Sequence, residues 1–220
     1  MNIYLVGNGK MGIAFKNCYG QEIIYNTNNI PDDLNLSNAQ VIIDFSHPDN
    51  LNKLLKIAYL HHLPLVIGTT NYSNSQINEI INYSQYIPIC LSSNYSLEYV
   101  KTKHAIKAFI NDETQKIIII DIHHISKKDS PSGTAKELRS FINNLKPELK
   151  VQIKSIRRGT TVGIHRIIIV NKDDTIEVSF AINNRNVFVK GAYCAAKKIL
   201  NKKNGLYSFE TLLEENNDKA

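Results

Sequence analysis

The stretch Asp121-Ile-His-His-Ile-Ser-Lys-Lys-Asp-Ser-Pro-Ser-Gly-Thr-Ala135 gathers residue types that do acid–base and anion chemistry. Two adjacent histidines, His123 and His124, are followed by Lys127 and then by a turn of Asp, Ser, Pro and Gly. Thr134 and Glu137 have capping-box spacing, so a helix is expected to start there. A helix start around Gly133 and Thr134 offers backbone N–H groups and a positive dipole end to an anion. Imidazole exchanges protons near neutral pH, and lysine adds a fixed positive charge. Together these groups describe a site that binds a carboxylate and donates a proton. A plainer reading stays open, because neighbours on a strand face opposite sides and His123 and His124 could be one packed and one solvated residue.

A second chemistry lies at the N-terminus. Gly7-Asn8-Gly9-Lys10-Met11-Gly12 is a Gly-x-Gly-x-x-Gly run that follows an expected strand and opens an expected helix. The first glycine permits the tight turn, the second lets backbone approach a pyrophosphate, and the third lets helix pack on strand. An NAD site would carry an acid roughly 20 positions on to hold the ribose, but here the chain reads Tyr25-Asn26-Thr27-Asn28. A 2′-phosphate is not repelled, Lys10 could reach toward it, and NADPH is expected to be tolerated beside NADH. Gly68-Thr69-Thr70 and Ser92-Ser93-Asn94-Tyr95 each follow an expected buried strand, where ligands bind in open α/β sheets. No metal-ligand spacing occurs, and no metal is expected.

These groups need a frame. Ile3 to Val6, Ile23 to Tyr25, Val41 to Asp44, Leu65 to Ile67 and Ile87 to Leu91 are apolar runs without alternation, expected as fully buried strands of a parallel sheet. Leu51, Leu54, Leu55 and Ala58 repeat with helical period, as do Ile77, Ile80, Ile81 and Ser84 after a possible Ser73 or Ser75 cap. Between Tyr25 and Val41 the polar stretch looks too short for a full crossover helix. After Leu97 the pattern becomes a helix, a strand at Lys116 to Ile122, a helix from Ala135 to Leu145, then strands at Val151 to Ile156, Gly163 to Val170 and Thr175 to Ala181. The turn at Asn171 to Asp174 implies antiparallel or mixed pairing, and a last helix carries Phe188, Ala192, Ala195, Ala196 and Ile199. The expected architecture is α/β, with domain one at 1–96 and 190–220 and an α+β domain at 97–189, packed together about a cleft.

Composition narrows the class. The 220 residues are 43% hydrophobic, with 26 Lys and Arg against 20 Asp and Glu. The basic residues are scattered, which disfavours nucleic acid, and Lys197, Lys198, Lys202 and Lys203 read as a solvated helix face. Cys18, Cys90 and Cys194 lie far apart, so a reducing compartment fits. No apolar run reaches the ~18 residues of a membrane span and the first residues lack a basic leader, so a cytoplasmic protein with no membrane partner is expected.

Taken in order, the motifs resemble the dihydrodipicolinate (4-hydroxy-tetrahydrodipicolinate) reductase family over nearly the whole chain. The resemblance is carried by the glycine loop with Lys10-Met11-Gly12, Asp44-Phe-Ser46, Gly68-Thr-Thr70, Ser93-Asn-Tyr-Ser96, His123-His-x-x-Lys-x-Asp-x-Pro-Ser-Gly-Thr-Ala135 and Gly205-Leu-Tyr207. It implies a Rossmann-type parallel-sheet domain that binds NADPH or NADH, and a second domain that binds a small dicarboxylate substrate. It implies that His123 and Lys127 act as the acid pair, that His124, Gly133 and Thr134 hold the substrate, and that the loops at Gly68 to Thr70 and Ser92 to Tyr95 touch the cofactor. Hydride transfer to a cyclic imine, protonation of the resulting enamine and closure of the domains would follow. A homotetramer is implied through the second sheet, by the apolar runs Ile167 to Val170 and Val178 to Ala181. Phe180 stands where the family commonly has a histidine and Ile164 where it commonly has an acid. The alternatives are a nicotinamide dehydrogenase acting on another small amino or carboxylic acid, and a non-catalytic nucleotide-binding relative.

Overall fold

The computed structural model describes residues 1–31, 36 and 38–214. The chain divides into two compact units, Met1–Tyr95 with Asn186–Ala220, and Ser96–Arg185. The first unit opens with β1 (Ile3–Val6), α1 (Lys10–Tyr19), β2 (Ile23–Thr27), β3 (Val41–Asp44), α2 (Leu51–Leu60), β4 (Leu65–Ile67), α3 (Asn74–Ser84) and β5 (Pro88–Leu91). The second holds α4 (Leu97–Phe109), β6 (Thr114–His123), α5 (Gly133–Leu145), β7 (Lys150–Arg157), β8 (Gly163–Asn171) and β9 (Thr175–Ile182). The chain then returns to the first unit with α6 (Asn186–Ile199), β10 (Gly205–Tyr207) and α7 (Phe209–Glu214).

The first sheet runs β10-β5-β4-β3-β1-β2, and every pairing is parallel. β1, β3 and β4 are buried along their whole length because they lie mid-sheet, with apolar side chains toward both faces. Leu51, Leu54, Leu55 and Ala58 bury the stripe of α2. Ser73 caps α3 in a full capping box with Gln76. Two expectations fail in this unit. β2 pairs with β1 alone and is half exposed, because an edge strand has sheet on one side only. Ile81 is 44% exposed and lies off the α3 stripe. Of the segment where a crossover helix was judged missing, residues 32–35 and 37 lie outside the described residues.

The chain leaves β1 toward β2 on one side and returns to β3 on the other. The carboxyl ends of β1 and β3 are therefore the switch point at which an open α/β sheet forms its crevice.

The second sheet runs β7-β6-β8-β9, with β6 parallel to β7 and antiparallel to β8, and β8 antiparallel to β9. Strand alternation divides its residues between two faces. One face carries Ile117, Ile119, Asp121 and His123 of β6, aligned with Ile169, Ile167 and His165 of β8 and with Ile153, Ser155 and Arg157 of β7. Helices α4 and α5 pack on the sheet, and Tyr99 of α4 meets Phe180 of β9 on this face at a ring distance of 5.7 Å. The other face presents Ile118, Ile120, Ile164, Ile168 and Val170, all half-buried. This divides the runs expected to form one interface: Ile167, Ile169 and Val178 point to the helices, Ile168 and Val170 away from them. Helix α5 also differs from expectation, since its cap is Ser132, whose Oγ accepts from the Ala135 N–H at 3.2 Å, so that Thr134 lies inside the first turn.

The glycine loop supplies a stability test. Gly7 has φ +121°, and a methyl group on Gly12 would sit 2.0 Å from the Gly7 carbonyl oxygen, whereas one on Gly9 would meet nothing within 4 Å. Gly12→Ala is expected to cost about 2 kcal/mol or more in a denaturant melt, and Gly9→Ala no more than about 1 kcal/mol.

Candidate active site

In the first unit the glycine loop is pinned to the end of β2. The Gly7 N–H donates to the Thr27 carbonyl at 2.7 Å and the Asn8 N–H to Asn28 Oδ1 at 2.6 Å. Asn28, 20 residues after Asn8, is thus a neutral residue that holds the loop where a ribose-binding acid would stand. Lys16, which sequence reading passed over, places Nζ 3.2 Å from Asn8 Oδ1, while Lys10 is exposed at the start of α1. Lys16 sits two turns into an ordinary helix, and only the fold returns its side chain to the loop.

Asp44 ends β3 fully buried. Its Oδ1 accepts from the Ser46 hydroxyl at 2.5 Å and the Ser46 N–H at 3.2 Å, and Oδ2 accepts from the Tyr72 hydroxyl at 3.5 Å. Burial pushes this carboxyl above the usual range, and the hydroxyl and backbone donors only partly oppose the shift. The Ser46 N–H also donates to Thr69 Oγ1 at 2.9 Å, which ties the loop after β3 to the loop after β4. Beside them lies a cavity of about 680 Å³ lined by Met11, Phe45, Ser46, Gly68, Thr69 and Thr70 among others. Gly7, Asn8, Gly9, Lys10, Gly12 and Ser92 to Tyr95 are not part of its lining among the described residues. The residues fit a dinucleotide, because Gly9 leaves open space before the α1 N-terminus and the β2 end presents no acid.

Tyr95 is a correction. Its side chain is buried, and its hydroxyl donates to the Ile67 carbonyl at 2.8 Å. It braces β4 and cannot present its ring to a cofactor. Asn94 is buried as well, leaving Ser92 and Ser93 as the accessible part of that loop.

The second unit builds a polar cluster on the helix-covered face of its sheet. Asp121 is completely buried on β6, with Oδ1 2.8 Å from His123 Nδ1 and 3.2 Å from His165 Nε2. Both are ion-pair contacts off the axis of a straight hydrogen bond, and His165 Nε2 makes its hydrogen bond with Ser132 Oγ at 3.2 Å. Oδ2 accepts from the Ser132 N–H at 3.0 Å, the Ser155 hydroxyl at 3.2 Å and the Arg157 guanidinium at 3.1 Å. Burial alone would raise the Asp121 carboxyl, but its His123, His165 and Ser132 partners hold it far below the carboxylate range. His165 stacks on Phe180 with ring centres 4.9 Å apart, so the phenyl at this departure from the family pattern packs as an apolar plate. His124 is half-exposed with Nδ1 2.8 Å from Ser126 Oγ, and Lys127 pairs with Asp129 at 2.7 Å. The expectation that one histidine packs and the other faces outward is met, yet the packed His123 sits on a carboxylate. Asp121, His165, Ser132 and Arg157 were given no role from sequence. The alternation of Asp121 with His123 and of Ser155 with Arg157 is the signal that could have found Asp121 and Arg157.

Two family models match the chain, "Dihydrodipicolinate reductase, N-terminus" at residues 20–95 and "Dihydrodipicolinate reductase, C-terminus" at residues 99–213. The chain belongs to the dihydrodipicolinate reductase family. The 4-hydroxy-tetrahydrodipicolinate reductase of Brachyspira hyodysenteriae is 31% identical over 97% of this chain and 100% of its own length. That of Alkaliphilus oremlandii is 33% identical over 97% and 98%. A dipicolinate-bound dihydrodipicolinate reductase from Paenisporosarcina has the same fold, with TM-score 0.76, 17% identity and coverage of 96% and 98%. Asp121, His123 and His165 bring metal-ligand atoms within 4.8 Å of one another. In this family member the Arg157 cation already neutralises that carboxylate, which suits a proton and anion site better than a metal site.

Burial pushes the His165 imidazole below its ordinary value, and the Asp121 contact only partly opposes this. The unfolded chain takes up a proton near pH 6.5 that the folded chain refuses, so the His165 contribution to stability is lost as pH falls below about 6.5. Asp44 works oppositely, because its raised carboxyl binds a proton more readily in the folded state. Comparison therefore isolates the histidine: His165→Gln is expected to show a shallower loss of melting temperature from pH 7 to pH 5 than the parent protein. Equal slopes would show that His165 is not the titrating group.

Proposed function

We propose that this chain reduces 4-hydroxy-tetrahydrodipicolinate to tetrahydrodipicolinate with NADPH or NADH, in the cytoplasm, as a step of lysine and diaminopimelate synthesis. The observation that carries the reading is the pairing of His123 with buried Asp121 beside the Ser132-capped start of α5. A proton donor and an anion site occupy adjacent places on one unit. The chain is an NAD(P)H-dependent oxidoreductase, and the cofactor, when bound by the glycine loop, would supply the hydride for the reduction. Residues 1–96 and 190–220 are assigned to the cofactor and 97–189 to the substrate and oligomer, a division supported by the compact units Met1–Tyr95 with Asn186–Ala220 and Ser96–Arg185, whose bounds differ by one residue at the first and four at the second. Three unpaired cysteines suit a reducing compartment, and no described helix is long and apolar enough to cross a membrane.

Each residue has a task. The glycine loop and the α1 N-terminus hold pyrophosphate, and Thr69, Thr70, Ser92 and Ser93 border the cofactor. Lys127 and the first turn of α5, with Gly133 and Thr134, neutralise substrate carboxylate, and His124 adds a polar contact from the strand end. His123 delivers the proton that completes the enamine's conversion. The open face of the second sheet, with Ile118, Ile120, Ile164, Ile168 and Val170, is the surface through which the homotetramer forms.

His123→Gln is expected to lower turnover by about 10²- to 10⁴-fold with NADPH affinity and melting temperature nearly unchanged. Lys127→Ala should in addition raise the KM for substrate. A His123→Gln enzyme keeping more than about a tenth of the parent rate would remove His123 as the acid. Calorimetric titration is expected to place NADPH and NADH within about tenfold of each other, ~1.4 kcal/mol, because Asn28 neither attracts nor repels a 2′-phosphate. Light scattering should show a tetramer at micromolar concentration, and a monomer would exclude the proposed interface.

A further inference from the structure

We infer that Asp121 is the positioning residue of this active site, fixing which nitrogen of His123 gives up its proton and holding Lys127's partner loop in register with it. The inference rests on the reading of His123 as proton donor.

The Asp121 carboxylate lies 2.8 Å from His123 Nδ1, inside van der Waals contact. A buried carboxylate at this distance repels an Nδ1 lone pair and attracts an Nδ1–H dipole even off the straight hydrogen-bond axis, so the proton of the neutral ring is placed on Nδ1. Nε2 is then the nitrogen that exchanges. During the reaction its N–H bond breaks, the electron pair stays on Nε2, and the proton forms a C–H bond at the enamine carbon. Nδ1 keeps its proton beside the Asp121 carboxylate. The Nε2 side is kept clear by Gly163, where a methyl group would lie 2.9 Å from Nε2.

The other carboxylate oxygen carries the rest of the arrangement. It accepts from the Ser132 N–H and from Arg157, at 3.0 and 3.1 Å. Ser132 is the cap of α5. Arg157 also donates to the Asp129 carbonyl at 2.7 Å, and the Asp129 carboxylate pairs with Lys127 at 2.7 Å. One buried group therefore reaches both members of the acid pair and the anion-binding helix start. His165, 3.2 Å from both Asp121 Oδ1 and Ser132 Oγ, closes the ring of contacts. None of this requires Asp121 to touch substrate, which separates its role from that of His123.

The tautomer can be read on the parent enzyme by nitrogen-15 NMR of the imidazoles at a pH where His123 is neutral. Protonated Nδ1 is expected, and protonated Nε2 overturns the inference without a variant being made. Asp121→Asn, nearly the same in shape, is expected to lower kcat about 10²-fold while the KM for substrate and the Kd for NADPH change less than about threefold. Adding Asp121→Asn to His123→Gln should slow the enzyme no further than about threefold, because one residue acts through the other. Additive losses, or turnover by Asp121→Asn within about threefold of the parent, overturn the positioning role while leaving His123 as the acid. Normal turnover by His123→Gln instead overturns the reading beneath it. If Asp121→Asn does not fold, Gly163→Ala probes the same geometry from the opposite side. It is expected to lower kcat with NADPH affinity unchanged, and unaltered kcat overturns the placement of Nε2.

Discussion

A carboxylate with no exposure must have its charge and its lone pairs answered from within the protein, and Asp121 sets that demand on the second unit. The groups that answer it come from β6, β7, β8 and the cap of α5. Each of those elements is then fixed relative to the others by a charged contact at its end, over a sheet held by apolar packing. A short hydrophobic side chain at 121 would fill the volume but would leave half-buried Arg157 without its anion. The cluster thus explains why Asp121 and His123 follow Ile117 and Ile119 on the helix-covered face of β6.

Asp44 shows what the same residue type does with other partners. It ends a central strand and is buried, but its neighbours are hydroxyls and a backbone N–H, with no cation among its contacts in the described residues. Desolvation prevails there and raises the carboxyl, whereas ion-pair contacts prevail at Asp121 and lower it. The two aspartates therefore serve different ends. One stays within a hydroxyl network that joins the loops after β3 and β4, and the other is an anion in contact with two imidazoles and a guanidinium.

The fold was largely legible because burial follows period. Uninterrupted apolar runs at Ile3, Val41 and Leu65 are mid-sheet strands, and the Leu51 to Ala58 stripe is a helix against them. β2 was misjudged because edge and centre differ in what lies beside a strand, which local sequence does not encode. Thr134 was misjudged as a cap because Ser132 and Thr134 both precede spacings that permit one, and tertiary contact to Asp121 selects Ser132. The glycine loop and the His123 segment were visible as motifs since their residues are contiguous. The contributions of Lys16 and His165 were not, because each meets its partner only after chain separated in sequence has been folded together.

The second sheet joins its two roles through strand alternation. Asp121 and His123 face the helices, and Ile118, Ile120 and Ile122 of the same strand face the other way. His165 and Ile164 divide in the same manner on β8. Moving either strand by one residue would exchange the faces, setting isoleucines among the helices and Asp121 among the uncovered isoleucines. The register that keeps an apolar surface continuous on one side is therefore the register that assembles the polar cluster on the other. Cover on the isoleucine face would resist that slip directly, so the apolar face and the polar cluster depend on one set of strand pairings.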